Sequence, residues 1–269
     1  MKLFKRTLGI FAMALASLLA AQPTIAQENM VDTIKKRGNL KVGFATFVPW
    51  AMRDKQGKFV GFEIDVAAKV AKDLGVELDL QPTAWDGIIP SLIGGKFDVI
   101  IGGMTVTPPR REQIDFTDQY STSGLGAAAN KQLASKLAWP ADYNSTSVTF
   151  ACRRGSSPCG YIERTFPKAT LRQFDDMGLG IQEVINGNAH VWISAEPFPT
   201  FKSVQQPDKL FRANSELFEG GFEGMGIKKG NPALLKHLNE WIAKNQVFLK
   251  ERRTYWFSTQ DWASQVPAF

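Results

Sequence analysis

The segment "FDVIIGGM", Phe97 to Met104, limits the possible folds more than any other stretch of the chain. It is almost continuously apolar, too short for a packed helix, and stopped by two glycines. A strand of that kind belongs to a sheet covered on both faces, which is the habit of parallel α/β proteins. Its neighbours agree. "ENMVDTIKKRG" predicts a short helix stopped by Gly38, and "NLKVGFA" a strand. "FVGFEIDVAAKVAKDLG" carries Ile64, Val66, Ala67, Val70, Ala71 and Leu74 at helical spacing, with Gly75 as its stop. "VELDLQPT" alternates like a strand, and "WDGIIPSLIGG" predicts a short helix opening at Trp85. The order strand, helix, strand, helix, strand is a parallel α/β unit.

The pattern then repeats. "VTFAC" predicts a strand, "SPCGYIERTF" a helix, "ATLRQF" a strand, "LGIQEVING" a helix and "HVWISA" a strand. "FEGGFEGMGIKKG" reads as a strand returning from this second unit. "NPALLKHLNEWIAKNQ" is an amphipathic helix with Asn231 as its N-cap and Pro232 at its first position. The aromatic, basic tail "LKERRTYWFSTQDW" is expected to close the fold from the surface. Two α/β lobes are thus expected, each a mostly parallel sheet flanked by helices. Glycine-rich joins around Gly124–Lys131 and Phe218–Lys229 link them as two crossover strands. The expected division is 27–124 with 226–269 in the first lobe and 125–225 in the second.

The first 26 residues lie outside this plan. "MKLFKR" is basic, "TLGIFAMALASLLAA" is apolar but short of the roughly 20 residues of a spanning helix, and "PTIAQ" offers cleavage after Ala26. Residues 1–26 are expected to be a cleaved signal peptide, which makes the working chain exported, periplasmic and soluble. Removing Lys2, Lys5 and Arg6 lowers the formal net charge from +6 to +3 (6 − 3 = 3), so the whole-chain value overstates the basicity. The remaining basic residues are scattered, and no nucleic-acid partner is expected. In an oxidising compartment the two cysteines, Cys152 and Cys159, are expected to pair across "CRRGSSPC". With His190 and His237 far apart, no metal site is expected, and no cofactor motif is present.

Open parallel sheets bind ligands beyond the carboxyl ends of their strands. Four loops belong there. "TFVPW" supplies Phe47 and Trp50, and the next loop supplies Trp85. "GGMTVTPPR" supplies Gly103, Thr105 and Arg110, while "RRGSSP" supplies Ser156 and Ser157 at a helix start. The aromatics suit the apolar part of a ligand. The Arg110 guanidinium suits a carboxylate, which it can grip through two parallel hydrogen bonds. Ser156 and Ser157 suit a helix N-terminus that favours an anion, although capping alone accounts for one serine. A lone aromatic would sooner be core, but three in the strand-end loops of one unit point to a ligand, and Arg111 is expected in solvent.

The sequence "GFEID…LIGGKFDVIIGGMT…T…R…DFT" resembles the periplasmic amino-acid-binding proteins of ABC transporters, family 3 of the bacterial solute-binding proteins. The resemblance covers nearly all of the mature chain and is strongest from Gly61 to Tyr120. It implies the two-lobed periplasmic-binding-protein fold, closing on ligand about two crossover strands. It also implies that Phe47 and Trp85 flank the ligand, that Gly103 and Thr105 hold the amino-acid head, that Arg110 takes the α-carboxylate, and that Ser156 contributes a hydroxyl from the second lobe. Two departures stand out. Ala195 occupies the place of an aspartate that receives the α-ammonium in the family, with Glu196 one residue on as a substitute. Arg153 and Arg154 stand where the family is often neutral; only one of two strand neighbours can face inward, and Arg154 is taken as the cleft candidate. An inward arginine would favour an anionic ligand.

The expected function is capture of a small carboxylate-bearing solute, an amino acid or related organic acid, by a monomer that delivers it to an ABC permease. The alternative is a periplasmic dehydratase on the same scaffold, acting on a cyclic carboxylate such as prephenate or arogenate, with Glu196 as its acid. A sensory role through a separate receptor is a third reading.

Overall fold

The computed structural model describes residues 29–267; the expected signal peptide lies outside them. Among the described residues, thirteen strands and ten α-helices follow one another in two lobes. In the first, helix α1 (Met30–Arg37) leads to β1 (Asn39–Phe44), a hairpin of β2 (Met52–Arg53) and β3 (Phe59–Val60), α2 (Phe62–Leu74), β4 (Glu77–Pro82), α3 (Ile88–Ile93), β5 (Val99–Ile100), α4 (Pro108–Gln113) and β6 (Asp115–Phe116). The long β7 (Ser121–Asn130) enters the second lobe, which adds α5 (Lys131–Ala134), β8 (Thr149–Arg153), α6 (Ser157–Thr165), β9 (Thr170–Phe174), α7 (Met177–Ile185), β10 (Val191–Ala195), α8 (Phe198–Gln205) and β11 (Leu210–Arg212). The chain returns through β12 (Phe218–Glu223) to β13 (Gly226–Ile227), α9 (Pro232–Lys244) and α10 (Gln246–Arg253).

The two sheets share one plan. The first runs β4-β1-β5-β13-β6, with β1 parallel to β4 and β5, and β13 antiparallel to β5. The second runs β9-β8-β10-β7-β11, with β8 parallel to β9 and β10, and β7 antiparallel to β10. In each lobe the fourth position is filled by a strand arriving from the other lobe. Each sheet is covered on both faces, as the apolar strands require. Along β10, Val191 and Ile193 pack into one cluster with Phe150 and Ile162, while Trp192 packs into another with Ile181 and Phe198.

The crossing itself is antiparallel pairing of Ser121–Ser123 with Gly221–Glu223. It lies upstream of the first expected join, because Ala127–Ala129 are already fully buried in the second sheet. The second expected join divides: Phe218–Glu223 forms the crossing, and Gly226–Ile227 belongs to the first sheet. Gly38 (φ 81°) and Gly75 (φ 76°) stop α1 and α2 in the left-handed region, with their amides closing the last turns.

Three local expectations change. Asn231 does not cap α9; its amide donates to the Lys228 carbonyl at 2.8 Å, and Pro232 alone pre-sets the first turn. The aromatic tail is core rather than surface: Trp256 and Trp262 are buried with Leu249 and Val266 against α2 and α9. Helix α8, unpredicted because prolines frame its start, places Phe201 against Trp262 at 5.8 Å between centroids. Among the described residues no helix is long and apolar enough to cross a membrane.

Candidate functional site

The cleft loops meet around one small cavity. The first lobe contributes Phe47, Trp85, Gly103, Thr105 and Arg110. The second contributes Arg153, Ser156, Ser157, Met177, Ser194 and Ala195. No carboxylate lines it. The lobes already touch across it: the Arg110 guanidinium donates to the Thr105 carbonyl at 2.8 Å in its own lobe and to the Gly155 carbonyl at 3.2 Å in the other. Beyond Arg110 the gap opens into a groove of about 580 Å³ bordered by Asp86, Pro108, Arg164 and Glu219.

Arg110 and Arg153 stand over the ring of Trp85, at 5.5 and 5.2 Å from its centroid. Burial lowers both guanidinium pKa values to about 10, and for Arg153 the nearby Asp176 and Asp86 partly offset it. Both therefore stay cationic near neutrality. The Arg153 Nε is buried without a hydrogen-bond partner, and so is the Ser194 hydroxyl. Such groups are costly unless something completes them.

Strand alternation separates Arg153 from Arg154. Arg153, 8% exposed, turns into the cleft, whereas Arg154 turns out to Asp175 at 2.6 Å and the Gln173 carbonyl at 3.1 Å. The choice of Arg154 is therefore corrected to Arg153. Two more expectations are corrected. Trp50 is fully buried and does not line this cavity; it stacks behind Phe47 at 4.1 Å and donates to Glu223 Oε1 at 3.2 Å. Its ring would lie 2.4 Å from a Cβ on Gly103, whose φ of 64° also requires glycine. Glu196 turns away from the cavity over β7, pairing with Arg212 at 3.0 Å and accepting from the Thr200 amide at 3.1 Å. Strand parity and the start of α8 decide this together. Ser156 lines the cavity but does not cap α6 with its side chain; its hydroxyl donates to the Arg153 carbonyl.

Met177 and Ser194 were missed. The alternation in "HVWISA" puts Ser194 on the Trp192 face and could have found it; nothing local marks Met177. The expected bridge is present: Cys152 on β8 is joined to Cys159 on α6, with Cα atoms 5.6 Å apart. It closes the turn that carries Arg153, Gly155 and both serines.

Behind the cavity, the loop after β5 pairs with the crossing strand. Val106 donates to the Phe222 carbonyl at 3.0 Å, and Gly224 to the Met104 carbonyl at 3.2 Å. The loop after β5 and the crossover are one hydrogen-bonded unit.

Residues 40–259 match the profile of the bacterial extracellular solute-binding proteins, family 3. The chain belongs to that family. It is 29% identical over 240 residues to the L-cystine-binding protein TcyJ of Escherichia coli K12, covering 89% of each chain. A cyclohexadienyl dehydratase of Pseudomonas aeruginosa is 22% identical over 248 residues, covering 91% of this chain and 92% of that protein. Among solved structures, a binding component of an ABC transporter from Wolinella succinogenes, complexed with lysine, superposes with a TM-score of 0.79 at 33% identity, over 85% of this chain and 99% of that one. This family member is accordingly a solute-binding protein of the amino-acid ABC-transporter type, with the two-lobed fold.

Proposed function

We propose that the chain captures a small carboxylate-bearing solute between lobes 27–124 with 226–269 and 125–225, and presents the closed form to an ABC permease. The observation that supports this is the placement of Arg110 from one lobe opposite the first turn of α6 from the other, around a single cavity. The open first lobe would hold the solute through Arg110, Thr105 and the face of Trp85. Closure adds Ser156, Ser157 and Arg153 and removes water, so the closed state gains population through its extra contacts. The permease would then read both lobe surfaces at once. In this reading the protein acts as a monomer in the periplasm after loss of residues 1–26.

The dehydratase alternative loses its one candidate acid. Glu196 is committed to Arg212 and Thr200, away from the cavity. Capture without bond chemistry is therefore the reading we adopt, and incubation with prephenate is expected to yield no phenylpyruvate.

Arg110→Ala tests the binding role. On unfolded, ligand-stripped and refolded protein, calorimetry is expected to find affinity for the best-bound carboxylate lowered at least about 100-fold, because a carboxylate would be left buried without its partner. Undiminished affinity in a folded variant would remove Arg110 from the site.

A further inference from the structure

We propose that the solute is a dianion with two carboxylates and no ammonium group, gripped by Arg110 from the first lobe and Arg153 from the second. The inference rests on the capture function above and narrows its substrate class. Two guanidinium groups from opposite lobes border one cavity and share the same tryptophan ring. Arg153 is 8% exposed, its Nε has no partner, and it makes no ion pair among the described residues. Its nearest acids, Asp176 and Asp86, are both exposed, line no part of the cavity and make no ion pair with Arg153. A buried cation in this state needs an anion, and with the half-buried Arg110, whose hydrogen bonds go only to neutral carbonyls, in the same carboxylate-free cavity, two negative charges balance the pair.

An ammonium group would find no countercharge. On the second-lobe side the cavity is lined by Ala195 and by Ser194, whose hydroxyl has no partner. The nearest carboxylate along that strand, Glu196, is turned away onto Arg212. A zwitterionic amino acid adds no net charge and would leave the two guanidinium charges unbalanced, and a cationic amino acid would add a third positive charge. The cavity itself is small, about 40 Å³, and continues past Arg110 into the groove of about 580 Å³.

The test uses the full mature chain, unfolded, stripped and refolded, with calorimetry against malonate, succinate, glutarate, glutamate, butyrate, alanine and lysine. One of the three diacids is expected to bind best, glutamate more weakly, and alanine and lysine not measurably. Arg153→Gln is expected to lower diacid affinity at least about 100-fold while changing butyrate only a few-fold. Arg153→Lys, which keeps the charge but not the fork, should recover part of the loss. Arg154→Gln should change nothing. Ala195→Asp should move preference from the diacid towards glutamate by supplying an ammonium partner.

The outcomes separate the two claims. Tight binding of alanine or lysine, dependent on Arg110 and indifferent to Arg153, would overturn the dianion and leave the capture function standing. An equal loss for every ligand in Arg153→Gln would make Arg153 an interlobe latch and also overturn it. If none of these carboxylates binds and Arg110→Ala behaves as wild type, the capture reading falls as well.

Discussion

Gly155 shows how much a single missing side chain can decide. Its φ of 70° lies in the left-handed region, and a Cβ there would stand 3.1 Å from the Asp86 Cα in the opposite lobe. Its carbonyl accepts the interlobe hydrogen bond from Arg110. Alanine would therefore cost about 1–2 kcal/mol in backbone strain in any state, and would add an interlobe clash only on closure. Gly155→Ala is expected to lose roughly ten-fold in solute affinity with a small drop in melting temperature; an unchanged Kd would mean the lobes do not need this close approach. Arg153 and Arg154 make the complementary point. They are chemically identical neighbours, and only the pleat assigns one to the cleft and the other to Asp175.

At the scale of elements, the unit β8–turn–α6 builds most of the second-lobe wall. The strand ends at Arg153, the turn supplies Gly155, and the helix begins at Ser157. The Cys152–Cys159 bridge, spanning seven positions, ties the strand to the helix across that turn. On chain entropy a loop this short contributes about 2–3 kcal/mol. The double variant Cys152→Ala with Cys159→Ala is expected to lose about that much in denaturant unfolding and to weaken binding, because the Arg153 backbone is no longer held. An unfolding midpoint equal to wild type would show that packing of Phe150, Ile162 and Phe166 suffices. The parallel elements around this unit were legible from the alternation of apolar strands and helices. The short strands β6 and β11 were not, since two or three residues carry no periodic signal.

For the whole molecule, the crossing of β7 and β12 is backed by a buried acidic cluster. Glu63, fully buried, accepts from the Tyr120 hydroxyl at 2.8 Å, and Glu223 at the end of β12 accepts from Trp50. Burial, reinforced by Glu223, pushes the Glu63 carboxyl well above its ordinary value of 4.5. Burial also raises Glu223, against hydrogen bonds from Ser121 and the pull of Arg253. A folded-state acid with a raised pKa holds more protons than the unfolded chain between the two values. Its stabilising contribution is therefore complete below pH 4.5 and is lost as pH rises through the folded-state value. The melting temperature of Glu63→Gln is expected to vary less steeply than wild type over that window, moving upward from pH 4.5. Parallel profiles would mean that Glu63 stays ionised and is neutralised by Arg253. Trp50 stands between this cluster and Phe47, so the crossover and the cleft wall share one packed column.

The order of strands and helices, the two lobes, the bridge, and the gathering of Phe47, Trp85, Gly103, Thr105, Arg110 and the two serines could all be read from the chain, because periodicity and turn chemistry are local. Tertiary structure alone decided which way individual side chains point. Trp50 went into the core, Glu196 went to Arg212, and Arg153 rather than Arg154 entered the cleft. Each of those choices turns on where a strand ends and what packs behind it, and those are contacts between residues far apart in the chain.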